Sequence, residues 1–418
     1  MLSILIKNIL IDSLRKDILI REGLISSIED EISFEADYIL NGSGKAVVPS
    51  FVNAHTHSAM TLFRGYADDM HLHDWLENKI WPMEANLTEV DVYWGTRLAC
   101  IEMIKSGTTH FNDMYWHYNG TARAVMDSGL YAHLSSAFID LGDDITSNKQ
   151  IAEQIEIFRQ KEIYNPNVTF SLGVHSLYTV SESGLLWARD FANEHSLKIH
   201  MHLSETKKEV EEWINSTGLR PVEYLAGKNM LGPHLIAAHV NWVTDEEIQL
   251  LADHDVGVVH CPTSNMKLAS GVFPYQRLND AGIRIGLATD GAASNNNLDM
   301  LDEMKIAALL QKSVTGDPTK LSADEVFHMG TEGSASLLDL NMGRIGVGKS
   351  ADMILVDLRN IHLIPNHHLI ANLVYSAHSG CIDTTIARGK ILMENGVVEG
   401  EKEVIEQFSR CVERLIKN

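Results

Sequence analysis

Between residue 49 and about residue 345, short apolar runs of strand length alternate with longer stretches whose apolar positions recur at helical spacing. The runs fall at residues 47–57, 108–114, 130–139, 168–174, 199–205, 235–239, 256–260 and 283–290. Strands separated by helix-length segments are the pattern of parallel strands joined by crossover helices, and eight such units predict a closed (β/α)8 barrel. The helices between them are legible. Thr88-Glu89-Val90-Asp91 opens one whose apolar positions are Val92, Leu98, Ile101 and Ile104, and Gly107 after Lys105 closes it. A second covers residues 298–312, rich in Leu, Met and Ala.

The two chain ends have another rhythm. Residues 1–48 hold β-type runs too closely spaced for helices between them, which predicts a small antiparallel unit. β character returns after residue 345, with Gly348-Lys349-Ser350-Ala351-Asp352 as a turn before Met353-Ile354-Leu355-Val356 and a β pair over 385–394. Residues 401–418 place Val404, Ile405, Phe408, Val412, Leu415 and Ile416 on one face of a helix. The expected α/β organisation is therefore a TIM barrel over 49–345, with residues 1–48 and 346–418 meeting in a composite β-sandwich that carries the C-terminal helix.

Candidate chemistry sits where the runs end. His55 and His57 are one residue apart, so both imidazoles leave the same side of an extended backbone. The fifth run ends at His202, the sixth at His239 and the eighth at Asp290. These residues are too far apart in sequence for a local motif, but a barrel gathers its strand ends at one mouth. His55, His57, His202 and Asp290 then form a nitrogen-rich set suited to one divalent metal, Zn2+ or alternatively Fe2+. A cation there activates water at neutral pH, which points to hydrolysis. Glu205, three residues past His202, is placed to hand a proton to a substrate ring nitrogen. Asp290 can take the proton of the attacking water, and His239 either steadies a developing oxyanion or serves as a further nitrogen ligand. His175 ends the fourth run, while His200, His110, His133 and His260 read as structural. No Lys lies between Lys161 and Lys198, so the fourth strand offers no lysine to bridge two metals.

Composition narrows the partner. A formal charge of -22 over 418 residues repels a phosphate backbone, so neither nucleic acid nor an anionic membrane is the expected partner and a small molecule is. Cys100, Cys261, Cys381 and Cys411 are too dispersed for a disulfide framework or a thiolate zinc site, and no run approaches the ~20 apolar residues of a membrane span. A cytoplasmic protein is expected, with a homo-oligomer left open.

Taken together, these residues resemble the amidohydrolase superfamily and, within it, the methylthioadenosine/S-adenosylhomocysteine deaminase group. The segments that carry the resemblance are PSFVNAHTHSAMTLFRG (49–65), HLSET (202–206), CPTSNMKL (261–268), TDGAASNN (289–296), GRIGVGKSADMIL (343–355) and Trp81-Pro82-Met83-Glu84. The resemblance implies metal binding by His55, His57, His202 and Asp290, proton delivery by Glu205 and His239 beside the attacking oxygen. It also implies Glu84 at the ribose hydroxyls, His175 as a substrate contact, and hydrolytic deamination at adenine C6. The chain departs from the group in one respect. Users of S-adenosylhomocysteine supply arginines near the third strand's end to hold the amino-acid carboxylate, whereas no Arg occurs here between Arg123 and Arg159. Uncharged 5′ groups are therefore expected: methylthioadenosine, 5′-deoxyadenosine or adenosine. The nearest alternatives are hydrolysis of a triazine, pterin, guanine or cytosine, and, from another class, a metal-free assembly protein of the same fold.

Overall fold

A computed structural model describes residues 2–417. Strands β1 (Ile4–Ile11), β2 (Leu14–Arg21), β3 (Leu24–Glu29), β4 (Tyr38–Asn41) and β5 (Lys45–Pro49) come first. The barrel strands follow: β6 (Phe51–Thr56), β7 (Thr108–Tyr115), β8 (Tyr131–Phe138), β9 (Val168–Phe170), β10 (Leu172–Val174), β11 (Ile199–Leu203), β12 (Leu235–His239), β13 (Gly257–His260) and β14 (Ile285–Leu287). The chain ends with β15 (Met353–Asp357), β16 (Ile382–Ala387), β17 (Lys390–Glu394), β18 (Val397–Val398) and a helix, Glu401–Lys417.

The barrel strands pair in parallel in the order β14-β13-β12-β11-β10-β8-β7-β6, with β9 beside β8. The expected fourth strand is thus two short strands: β9 pairs only with β8, and after Ser171 the chain shifts so that β10 bridges β8 and β11. The ring is drawn shut between its first and last strands by residues past the end of β14. The Asp290 N–H donates to the His55 carbonyl at 3.1 Å, and Asn53 exchanges hydrogen bonds with Thr289 at 2.7 and 3.1 Å. Every residue of β6, β7, β8, β11, β12 and β13 is buried, as expected for strands enclosed by helices.

The apolar run that opens at Val47 divides at Ser50. Val47 and Val48 lie in β5, which pairs antiparallel with β15, whereas Phe51 begins the barrel. Nine strands from both chain ends form one hydrogen-bonded sheet, in the order β18-β17-β16-β15-β5-β1-β2-β3 with β4 beside β1. It is not wholly antiparallel, because β4 and β5 both run parallel to β1. The sheet curls: the Ile25 N–H donates to the Lys349 carbonyl and the Ala351 N–H to the Gly23 carbonyl, joining the turn before β15 to the far edge strand. Ile4, Ile6, Ile18, Ile20, Met353, Leu355 and Ile386 form its core.

The helix Glu89–Lys105 starts as the sequence predicts, with Thr88 and Asp91 in a reciprocal cap, and ends before Gly107 at φ +85°. The C-terminal helix lies against it through ion pairs of Arg414 with Asp91 and Lys105 with Glu401. Its buried residues are Val404, Cys411 and Leu415, while Ile405 and Ile416 are exposed. The packed stripe is narrower than the expected apolar face and includes Cys411, because a helix crossing another helix buries only the row it lays in the groove. Among the described residues no helix is long and apolar enough to cross a membrane.

Candidate metal centre and pocket

Every imidazole predicted at a strand end is held by its Nδ1. His57 Nδ1 lies 2.7 Å from the Met114 carbonyl, His202 Nδ1 2.7 Å from the His175 carbonyl and His239 Nδ1 2.8 Å from Asn265 Oδ1. A carbonyl oxygen only accepts, so His57 and His202 each carry a proton on Nδ1 and present the Nε2 lone pair. Those two Nε2 atoms are 3.2 Å apart. Asp290 Oδ1 is 3.3 Å from both His55 Nε2 and His57 Nε2, and His55 Nε2 is buried with no hydrogen-bond partner.

Converging lone pairs and a carboxylate oxygen repel one another unless a cation lies among them. The donor set therefore fits a divalent metal, and three imidazoles with one carboxylate suit zinc or ferrous iron. Two overlapping groups have ligand atoms all within 4.8 Å of one another: His55 with His57 and Asp290, and His55 with His202 and His239. Burial pushes the His55 pKa down to about 4 and that of His202 well below its usual value, so both are neutral and free to coordinate. Burial pushes the Asp290 carboxyl up, but the imidazole of His55, with those of His57 and His239, outweighs this and holds it well below the carboxylate range. For His239 burial acts downward, and the charges of Glu205 and Asp290 outweigh it and raise the pKa.

Three of these strand exits are backbone kinks. Ser204, His239 and Asp290 have φ of 49°, 74° and 61°, and a non-glycine residue in that region costs about 1–3 kcal/mol that the surroundings must offset. Each kink bends the chain at the end of its strand: the kinked His239 and Asp290 line the cavity themselves, and the bend at Ser204 brings Glu205 to it. Past the first, the Glu209 carboxylate accepts the backbone N–H groups of Ser204 and Glu205 at 3.1 and 2.8 Å, pinning the turn that carries Glu205. The Ser270 hydroxyl donates to Glu205 Oε1 at 2.8 Å, and Glu205 Oε2 lies 3.8 Å from His239 Nε2. Ser264 donates to Asp290 Oδ2 at 2.6 Å.

The cavity at this mouth measures about 640 Å³ including its opening to solvent, and is lined by His57, His175, His202, Glu205, His239 and Asp290 among others. Trp75, Leu76, Trp81 and Glu84, from the helical excursion after β6, form another wall, and Met60, Tyr115 and Trp116 complete it. Glu84 accepts from the Trp116 indole at 3.1 Å, and burial pushes its carboxyl up. All eight site residues named from the sequence thus lie at one strand-end mouth, with His55 buried beneath the cavity floor. Several neighbours escaped the sequence reading. His200, taken as structural, places Nε2 2.7 Å from His55 Nδ1; its spacing from His202 put it on the inward face, but not beside the first strand. Glu209, Ser264, Asn265 and Ser270 carried no signal beyond lying in or beside HLSET and CPTSNMKL. A partner two shells from the chemistry has no fixed spacing from it.

Comparison with known proteins agrees with this geometry. Residues 46–392 match the profile of the Amidohydrolase family. The chain is 48% identical over 385 residues to a 5-methylthioadenosine/S-adenosylhomocysteine deaminase 1 of Archaeoglobus fulgidus, covering 91% of each chain. It is 44% identical over 422 residues to a 5′-deoxyadenosine deaminase of Methanoregula boonei, covering 99% of this chain and 96% of the relative. Among solved structures it resembles an adenosine deaminase from Xanthomonas campestris with bound zinc, at TM-score 0.93 and 31% identity, covering 100% of this chain and 98% of that one.

Proposed function

We propose, from the premise that this chain belongs to the amidohydrolase family, that it removes the C6 amine of an adenosine derivative by hydrolysis, giving the inosine analogue and ammonia. It is a metal-dependent hydrolase acting on a C–N bond. The observation that carries the reading is the convergence of lone-pair nitrogens on Asp290, next to a carboxyl, that of Glu205, which lines the same cavity.

His55, His57, His202 and Asp290 would hold one divalent metal, zinc in our reading, whose chemistry when bound is to make a water nucleophilic at neutral pH. The remaining steps belong to the chain's own side chains. Glu205, oriented by Ser270 and by the pinned turn, protonates the ring nitrogen adjacent to C6 and so makes that carbon electrophilic. Asp290 accepts one proton of the attacking water and returns it to the exocyclic nitrogen, which leaves as ammonia, while the proton left on the C6 oxygen returns to Glu205 as the carbonyl forms. His239 steadies the oxygen added at C6. Glu84, held by the Trp116 indole, accepts from the ribose hydroxyls, and His175 lines the same cavity as a substrate contact.

The 5′ group favoured is uncharged. Beyond Glu84 the cavity continues into a groove lined by Leu87, Trp116, Ile139, Leu141 and Glu153. No Lys or Arg lines either space among the described residues; His117 is the one basic side chain among those lining the groove, and Glu153 repels an amino-acid carboxylate there. The deciding experiment is ammonia release from the zinc-loaded protein across methylthioadenosine, 5′-deoxyadenosine, adenosine, S-adenosylhomocysteine, guanine and cytosine. The expected result is turnover of the uncharged adenosine derivatives. Turnover confined to guanine or cytosine would sink the reading.

A further inference from the structure

Two buried asparagines that touch neither the cavity nor the metal donors join the groups assigned to proton delivery and oxygen stabilisation. The Glu205 carbonyl accepts from Asn241 Nδ2 at 3.0 Å, Asn241 Oδ1 accepts from Asn265 Nδ2 at 3.0 Å, and Asn265 Oδ1 faces His239 Nδ1 at 2.8 Å. Asn241 is 7% exposed, Asn265 1% and His239 1%, so water offers no substitute partner. The chain has a polarity set at one end. A main-chain carbonyl only accepts, so Asn241 must turn its NH2 towards Glu205 and its oxygen towards Asn265. Asn265 must then turn its own NH2 towards Asn241 and its oxygen towards His239. Facing an oxygen acceptor, Nδ1 of His239 must carry the proton, which leaves the Nε2 lone pair aimed at Glu205 Oε2, 3.8 Å away.

We infer that Asn241 and Asn265 are positioning residues: an amide relay anchored on the Glu205 main chain that fixes His239 as its Nδ1–H tautomer. The inference rests on the proposed roles of Glu205 and His239. A neutral His239 in this form brings a base to the cavity, and becomes an Nε2–H donor only on taking up a proton. The opposite tautomer would offer a hydrogen bond at once but could take no proton from the reaction. The relay also ties the two catalytic strand ends together, adding side-chain hydrogen bonds to the backbone pairing of the neighbouring strands β11 and β12.

The test separates tautomer from turnover. In metal-free protein with 15N-labelled histidine, at a pH raised until His239 is neutral and assigned by difference from a His239→Gln sample, His239 should show a protonated Nδ1 and an unprotonated Nε2. Asn265→Leu removes the acceptor and should move His239 to Nε2–H or to a mixture, whereas Asn265→Asp keeps an acceptor and should keep Nδ1–H. With metal restored to wild-type content, Asn265→Leu and Asn241→Leu should each lower kcat about 10- to 100-fold with little change in KM, as partners of site residues do. The double variant should be no worse than the poorer single, because one broken link already breaks the chain. Nε2–H in the wild-type protein overturns the inference, as does Nδ1–H persisting in Asn265→Leu. If Asn265→Leu does not fold, Asn265→Asp and Asn241→Leu decide it by the same two readouts. Because the tautomer is read without substrate or metal, a mistaken substrate assignment leaves this test intact.

Discussion

At the scale of single residues, the site depends on where protons reside. His57 and His202 are each obliged by a backbone carbonyl to protonate Nδ1, so their Nε2 atoms face each other as lone pairs 3.2 Å apart. His202→Ala removes one of these donors and should abolish tight metal binding, measured as metal retained after dialysis against a chelator-treated buffer. Retention of one equivalent would show the ligand assignment to be wrong. Glu205→Gln keeps the Ser270 contact but has no acidic proton to give, so metal content should be unchanged while kcat falls by about 10²- to 10⁴-fold. A Gln variant with wild-type kcat would leave the proton delivery to another group. The candidate donors stood out in the sequence because histidines closing apolar runs are rare and repeat here. Their hydrogen-bond partners did not, because Met114 and His175 act through main-chain carbonyls that every residue has.

At the scale of elements, helices hold the strand exits in place. Helix Met300–Thr315 brings buried Glu303 against the Thr263 N–H at 3.1 Å and the Asn295 side-chain amide at 2.7 Å, joining the loops after β13 and β14. Burial pushes the Glu303 carboxyl up to about 8 from the ordinary 4.5. Between those values the folded chain keeps a proton that the unfolded chain has released, so stability from this group is complete below about 4.5 and is lost as pH rises through about 8. The stability difference between wild type and Glu303→Gln, read from urea midpoints, should therefore shift in the variant's favour as pH rises from 5 to 8.5 (about 1.4 kcal/mol for each unit of pKa difference). A pH-independent difference would show Glu303 to be ionised throughout. On the C-terminal helix, Leu415→Ala should cost about 2–4 kcal/mol of stability, read from urea midpoints, since Leu415 is buried in the apolar cluster that also holds Trp75 and Leu76 of the cavity wall. Helix starts were readable from their caps, as at Thr88. The break at Ser171 and the left-handed residues Ser204, His239 and Asp290 were not, since none of the four is itself the glycine or proline that would mark it.

At the scale of the whole molecule, the barrel sets the address of the chemistry and the loops choose the substrate. The helical excursion after β6 and the exit of β8 enclose the region where a 5′ substituent would lie, with apolar side chains and Glu153 in place of a cationic clamp. The kcat/KM for methylthioadenosine or 5′-deoxyadenosine should exceed that for S-adenosylhomocysteine by at least about tenfold, the equivalent of roughly 1.4 kcal/mol, which one unpaired buried carboxylate readily costs. The reverse order would require a cation reaching the groove from outside it. The sequence by itself determined the alternation of strands and helices, the return of β structure at both ends and the candidate donors that the strand ends carry, because burial and coordination restrict which residue types can occupy each place. Only the tertiary structure decided which strands closed the ring, which imidazole nitrogen faced the cavity, and that Asn241 and Asn265 bridge Glu205 to His239. Those depend on contacts between segments whose separation along the chain is arbitrary, and a hydrogen bond across a barrel leaves no periodic trace in the residues that make it.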